Sequence, residues 1–175
     1  MSDFDTTRGI LDALAERHAR ERNGNSRAWI FVEEVRISTG FGYYGAHNQP
    51  PQGLLGAAEQ RIDAFALHTW PSKKFQRVAY EVKASMTDLR RELGKPWKCQ
   101  AALTLSNEFY LVAPADILAG GIVDEFPATW GVMAYRTSGL RTVRKAPWRE
   151  ADLPPYSFML SIARNLQQTL EAVEA

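Results

Sequence analysis

The sequence predicts a single mixed α/β domain, residues 1–175, in which helices flank a central sheet. Three observations predict it. Apolar residues recur at helical spacing near both ends of the chain. Six short apolar runs of strand character lie between them. Turn residues separate some runs by tight hairpins and others by helical stretches, as a mixed sheet requires.

Composition supports a sizeable core: 175 residues, 45% hydrophobic, with eight Phe and five Trp. No apolar run approaches the length of a membrane span, and the acidic start Met1-Ser2-Asp3-Phe4-Asp5 is unlike a signal peptide. Cys99 is the only cysteine, which excludes a disulfide framework and a cysteine zinc site. A reducing cytoplasm is the expected compartment. Nothing marks a base for Cys99, so it reads as a small helix residue rather than a nucleophile.

In chain order, Ile10, Leu11, Leu14, Ala15 and His18 predict a helix over about 6–22, ended by Asn23-Gly24-Asn25. His18 reads as a core or boundary histidine. Trp29–Ile37 is a strand whose alternation sets Trp29, Phe31, Val35 and Ile37 against Ile30, Val32 and Glu34. Residues 38–60, rich in Gly, Pro, Asn and Gln, read as a flexible loop. Its Phe41, Tyr43, Tyr44 and His47 could stack on bases or cap the sheet edge.

A strand around Asp63 and another ending at Lys83 form a hairpin through Trp70–Lys74. Ser85 and Asp88 open a short helix reaching Leu93, and Pro96 opens a further helical stretch reaching Ser106. Phe109–Ala113 is a buried strand by its unbroken apolar run. Gly131–Tyr135 and Leu140–Lys145 pair across Thr137-Ser138-Gly139. Tyr156, Met159, Leu160, Ala163, Leu166, Leu170 and Val173 predict a C-terminal helix whose apolar face packs on the core.

Chemistry concentrates in the hairpin. Arg61-Ile62-Asp63-Ala64-Phe65-Ala66-Leu67 and Val78-Ala79-Tyr80-Glu81-Val82-Lys83 are apolar strands interrupted by charges that a core should exclude. Period-two alternation projects Glu81 and Lys83 to one side. The pattern suits an open-face ion pair. That is the usual role of Glu-x-Lys in a strand, but the pattern also suits a divalent cation, because carboxylate oxygens are natural Mg²⁺ ligands and the lysine can address a phosphate or a water.

The net charge of +1 conceals an asymmetry. Residues 71–100 carry eight Lys/Arg against three acids, and residues 136–149 carry five Lys/Arg and no acid, so each stretch is +5. Such stretches suit a polyanion, or an ordinary solvated surface. Arg141, Arg144 and Lys145 form the densest part of the second.

Asp63 followed by Glu81-Val82-Lys83 resembles the signature of the PD-(D/E)XK nuclease superfamily. The segment from Glu81 to Leu93, with its Ser85 and Asp88-Leu89, is similar to a bacterial and phage branch that includes MmcB-like DNA-repair proteins. Glu108–Pro114 and Trp130-Gly131-Val132-Met133 resemble that branch's next two strands. The resemblance spans roughly residues 28–145, and Ile62 stands where the family's proline precedes the first aspartate.

The resemblance implies a restriction-endonuclease-like fold and a Mg²⁺-dependent deoxyribonuclease, with Mn²⁺ as a substitute ion, acting in DNA repair, recombination or phage DNA processing. It implies that Asp63, Glu81 and the Val82 carbonyl hold the ion and that Lys83 acts on the water or phosphate. It also implies a further upstream acid, for which Glu34 is preferred and Glu16 is second. Lys98 and Gln100 occupy the helix after the motif, where related nucleases place a polar residue facing phosphate. DNA is the expected partner, and a homodimer is left open. The alternative is a non-catalytic nucleic-acid-binding or protein-interaction module on the same fold.

Overall fold

The computed structural model describes residues 2–37 and 60–174. Helix α1 (Asp3–Ala19) begins earlier than its apolar spacing suggests because Ser2 caps it. The Ser2 hydroxyl accepts the Asp5 N–H and the Asp5 carboxylate accepts the Ser2 N–H, both at 3.2 Å. This reciprocal pair satisfies two otherwise orphaned donors, and Asp3 and Asp5 oppose the positive end of the helix dipole. A two-residue hairpin, β1 (Arg22–Asn23) and β2 (Ser26–Arg27), then reverses the chain.

Six strands follow in one sheet: β3 (Trp29–Ile37), β4 (Gln60–His68), β5 (Arg77–Val82), β6 (Glu108–Pro114), β7 (Gly131–Arg136) and β8 (Gly139–Arg144). They lie in chain order across the sheet. β6 runs parallel to both β5 and β7, and the remaining pairs are antiparallel. The expected β4–β5 and β7–β8 hairpins both form. The parallel β5–β6 step needs a crossover. Helix α2 (Met86–Leu93), a 3₁₀ turn (Pro96–Cys99) and α3 (Gln100–Leu105) supply it. The result is a mixed α/β domain with helices on both faces of the sheet.

Each face has its own core. Ile10 and Leu14 of α1 pack over Ala64, Ala66, Tyr80, Val82, Val112 and Met133. The opposite face buries Phe65, Ala79, Phe109, Leu111, Val132 and Trp130 beneath Leu89, Leu105, Phe158 and Ile162. Gly131 lets the strands close: a Cβ there would lie 2.4 Å from the Tyr110 ring and 2.7 Å from the Ala146 nitrogen.

Two expectations about facing need correction. β3 does not alternate throughout, because Ile30 and Val32 share a core with Val35 and Ile37. The phase changes at Glu34, whose φ is +52°. The C-terminal helix α4 (Tyr156–Glu174) buries Phe158, Ile162 and part of Leu166, whereas Tyr156 and Leu170 are 79% and 65% exposed. Its orientation follows from two contacts. The Phe158 ring meets Phe65 edge-on at 5.2 Å, and Asn165 bonds the β3 backbone.

The loop expected over 38–60, with Phe41, Tyr43, Tyr44 and His47, lies outside the described residues except at Gln60, which begins β4. Among the described residues, no helix is long and apolar enough to cross a membrane.

Candidate active site

Strand register brings three acids into a row. The pairs Glu33↔Ala64 and Val35↔Ile62 bracket Glu34 and Asp63, setting those two across from each other. The β4–β5 ladder is last paired at Ala64↔Tyr80, and one further step sets Asp63 beside Glu81. Glu34, Asp63 and Glu81 therefore lie in one line across three neighbouring strands.

The Asp63 carboxylate replaces the next ladder bond: its Oδ2 accepts the Val82 N–H at 2.8 Å. Lys83, just past the end of β5, turns its ammonium to two acids. Its Nζ donates to Glu81 Oε1 at 2.5 Å and lies 3.1 Å from Glu92 Oε2. The Cys99 thiol donates to Glu92 Oε1 at 3.3 Å. These charged side chains are only 11–15% exposed.

Electrostatics follows from that burial. Desolvation raises the Asp63 pKa, and the Val82 N–H and Lys83 offset only part of the rise. Desolvation, then the charge of Asp63, push Glu81 up to about 8. Burial alone would lower Lys83, but Glu81, Glu92 and Asp63 hold it above its ordinary value. Burial and the same glutamates keep Cys99 a protonated thiol, so it is no nucleophile.

Three carboxylates against one ammonium leave two excess negative charges when all are ionised. That surplus and an oxygen-only donor set suit a hard dication such as Mg²⁺, which retains several waters and needs few protein ligands. Asp63, Glu81 and the Val82 carbonyl are the groups that could hold it. Among the described residues, no cluster of three or more His, Cys, Asp or Glu is arranged to hold an ion, so backbone and water would complete the shell.

The other expected residues divide. Glu34 stands in the row, but its side chain is 64% exposed and pairs with Arg61 at 3.4 Å. Glu16 is exposed on α1 and pairs with Arg20, outside the cluster. Lys98 lines the same groove as Lys83, Glu92, Glu34, Arg8 and Phe4, a cavity of about 590 Å³. Gln100 is exposed and bonds Thr104 of its own helix. Ser85 caps α2, its hydroxyl accepting the Asp88 N–H.

Arg141, Arg144 and Lys145 fall on or just after β8, the sheet edge opposite β3. Three strand spacings separate β8 from β5, roughly 14 Å. The Arg144 guanidinium is engaged internally, donating to the carbonyls of Trp130 at 3.0 Å, Val123 at 3.1 Å and Pro127 at 2.8 Å. Arg141 and Lys145 are exposed.

Sequence reasoning missed Glu92 as a member of the cluster. One signal was available: Glu92 follows Leu89 by three positions, so it falls on the apolar stripe of α2 made by Met86, Leu89 and Leu93.

No family model and no curated protein matches the chain. Among solved structures it is similar to a protein of unknown function from Silicibacter pomeroyi. The two are 19% identical with a TM-score of 0.54, over 95% of this chain and 88% of the other. At that identity the likeness concerns the fold alone.

Proposed function

We propose that the protein is a Mg²⁺-dependent phosphodiesterase that hydrolyses DNA. The observation that carries this reading is the half-buried row of Asp63 and Glu81 with Lys83 at its end. Two desolvated carboxylates one strand apart repel each other, and an ammonium alone leaves the cluster negative. A bound dication would neutralise the surplus, polarise the scissile phosphate and lower the pKa of a water.

The chain's own residues supply position. Asp63 is oriented by the Val82 N–H, so its second oxygen is the one left for a ligand. Glu81 presents its carboxylate from the adjacent strand. Lys83 sets a positive charge at the end of the row, where it would offset charge gathering on phosphate oxygens. Lys98, on the rim of the same groove, would meet a neighbouring phosphate of the strand.

One observation favours a second reading. Lys83 already bridges Glu81 and Glu92, as in a structural ion network, and a non-catalytic DNA-binding protein could keep that network. Magnesium separates the two. Incubation with labelled single-stranded, nicked, flapped and branched DNA in Mg²⁺, Mn²⁺ or EDTA should show cleavage only with metal. Binding without cleavage in every condition would leave the second reading standing.

A further inference from the structure

Lys83 is held from two sides. Glu81 grips it from β5 and Glu92 grips it from α2, while Cys99 occupies the other oxygen of Glu92. Each link is fixed by the fold. Ser85 caps α2, Leu89 is fully buried beneath that helix, and Cys99 is 4% exposed at the end of the following turn. Glu92 itself is 8% exposed. A buried glutamate costs stability unless its charge is matched, and the charge that matches it is Lys83.

The two grips are not equivalent. Glu81 stands in the row with Asp63 and is a proposed ion ligand. Glu92 stands outside that row, on α2, with one oxygen on the thiol and the other on the ammonium. A cation on Glu81 would loosen that carboxylate's hold on the lysine, whose four-carbon stem would then be free to swing toward the groove. Glu92 is then the contact that keeps the ammonium at the end of the row.

We infer that Glu92 is a positioning residue, which holds the Lys83 ammonium beside the Asp63–Glu81 row, and that the Cys99 thiol orients Glu92 for this task. The inference rests on the phosphodiesterase reading. Displacing a reacting group by about an ångström costs on the order of 100-fold in rate, so that is the expected scale of the effect.

The test uses the full chain and the variants Glu92→Gln, Glu92→Asp, Cys99→Ala and Cys99→Ser. Glu92→Gln keeps the shape and an acceptor for the thiol but removes the charge that holds the lysine. Single-turnover cleavage of labelled DNA in saturating Mg²⁺ should slow on the order of 100-fold. The Kd for DNA in EDTA and the melting temperature should stay near wild type. Cys99→Ala should lose less, and Cys99→Ser, which restores a donor, should recover the rate.

If Glu92→Gln melts early, Glu92→Asp takes its place. Its carboxylate falls one methylene short, so a slower rate at unchanged melting temperature is expected. Wild-type rates in the variant that folds overturn the positioning role. An inert wild type overturns the phosphodiesterase reading and this inference together, a result distinct from an active enzyme indifferent to Glu92.

Discussion

The Asp63 carboxylate accepts the Val82 backbone N–H at 2.8 Å, where a ladder bond to β4 would otherwise continue. The β4–β5 pairing therefore ends at Ala64↔Tyr80, and the β4-facing edge of the last residues of β5 belongs to the site while their other edge stays paired with β6. A side chain in this position both shapes the strand end and offers its second oxygen outward.

Substitution can separate those two roles. Asp63→Asn keeps an acceptor for Val82, whereas Asp63→Ala removes it. Both should abolish Mg²⁺-dependent cleavage. Asp63→Asn should melt at or above the wild-type temperature because a desolvated charge is gone, and Asp63→Ala should be less stable than Asp63→Asn by about 1 kcal/mol. Alanine and asparagine variants that cut DNA like wild type would remove Asp63 from the site.

The raised pKa of Glu81 predicts an unusual pH dependence of stability. Folded Glu81 holds its proton up to about 8, against an ordinary 4.5 when unfolded. Between those values the folded state binds more protons, so this group's contribution to stability falls as pH rises. Glu81→Gln should flatten that decline in urea titrations from pH 5 to 8. Mg²⁺ should raise the wild-type melting temperature more at pH 8 than at pH 5, because ion and proton compete for the same carboxylate. An equal shift at both pH values would argue against an ion on Glu81.

His18 predicts the opposite slope on the other face of the sheet. It is buried against Trp29, Phe31 and Tyr80, and its Nε2 lies 2.7 Å from the Tyr80 hydroxyl. Burial first, then Arg17, lower its pKa to about 4 from an ordinary 6.5. The unfolded state binds more protons in that window, so stability is lost as pH falls through it. His18→Phe should remove this acid limb and, by stranding the Tyr80 hydroxyl, cost about 1–3 kcal/mol at pH 7. Adding Tyr80→Phe should recover part of that loss in a double-mutant cycle.

Element types and the two hairpin pairings were legible in the sequence because they rest on local signals: the short apolar runs of β4 and β5, the Ser85 cap, and the glycine at the β7–β8 turn. What the sequence hid is tertiary. Glu92 joins the cluster only because α2 folds back over the end of β5. The buried face of α4 was misjudged because Tyr156 and Leu170 count as apolar in any pattern, while the choice of face falls to the Phe158–Phe65 contact. Arg144 read as a phosphate ligand because charge density does not reveal which carbonyls a guanidinium can reach.

That last point changes what the basic residues should do. Arg144→Ala leaves the carbonyls of Trp130, Val123 and Pro127 without their shared donor, so it should destabilise the fold by about 1–3 kcal/mol. DNA affinity of the folded protein should barely change. Lys98→Ala should do the reverse, leaving stability intact and lowering the log–log salt slope of DNA binding by about 1 unit. A salt slope unmoved by Lys98→Ala would place the DNA path away from the groove.

Glu34 offers a test of whether strain serves the site. It holds a left-handed backbone in mid-strand, opposite Asp63, and Asn165 of α4 donates to the carbonyls of Glu33 at 2.9 Å and Glu34 at 3.1 Å. A non-glycine residue in this conformation costs roughly 1–2 kcal/mol, which the Asn165 clamp helps to sustain. Glu34→Gly should relieve the strain and stabilise the protein by up to about 1 kcal/mol, and Asn165→Ala should destabilise it by about the same amount. If the Glu34 carboxylate leaves Arg61 to complete an ion's shell, Glu34→Gly should also weaken Mg²⁺ binding measured by calorimetry. Gain of stability with loss of metal affinity is the signature of strain kept for function. A glycine variant that is more stable and binds Mg²⁺ as tightly as wild type would confine Glu34 to its ion pair with Arg61.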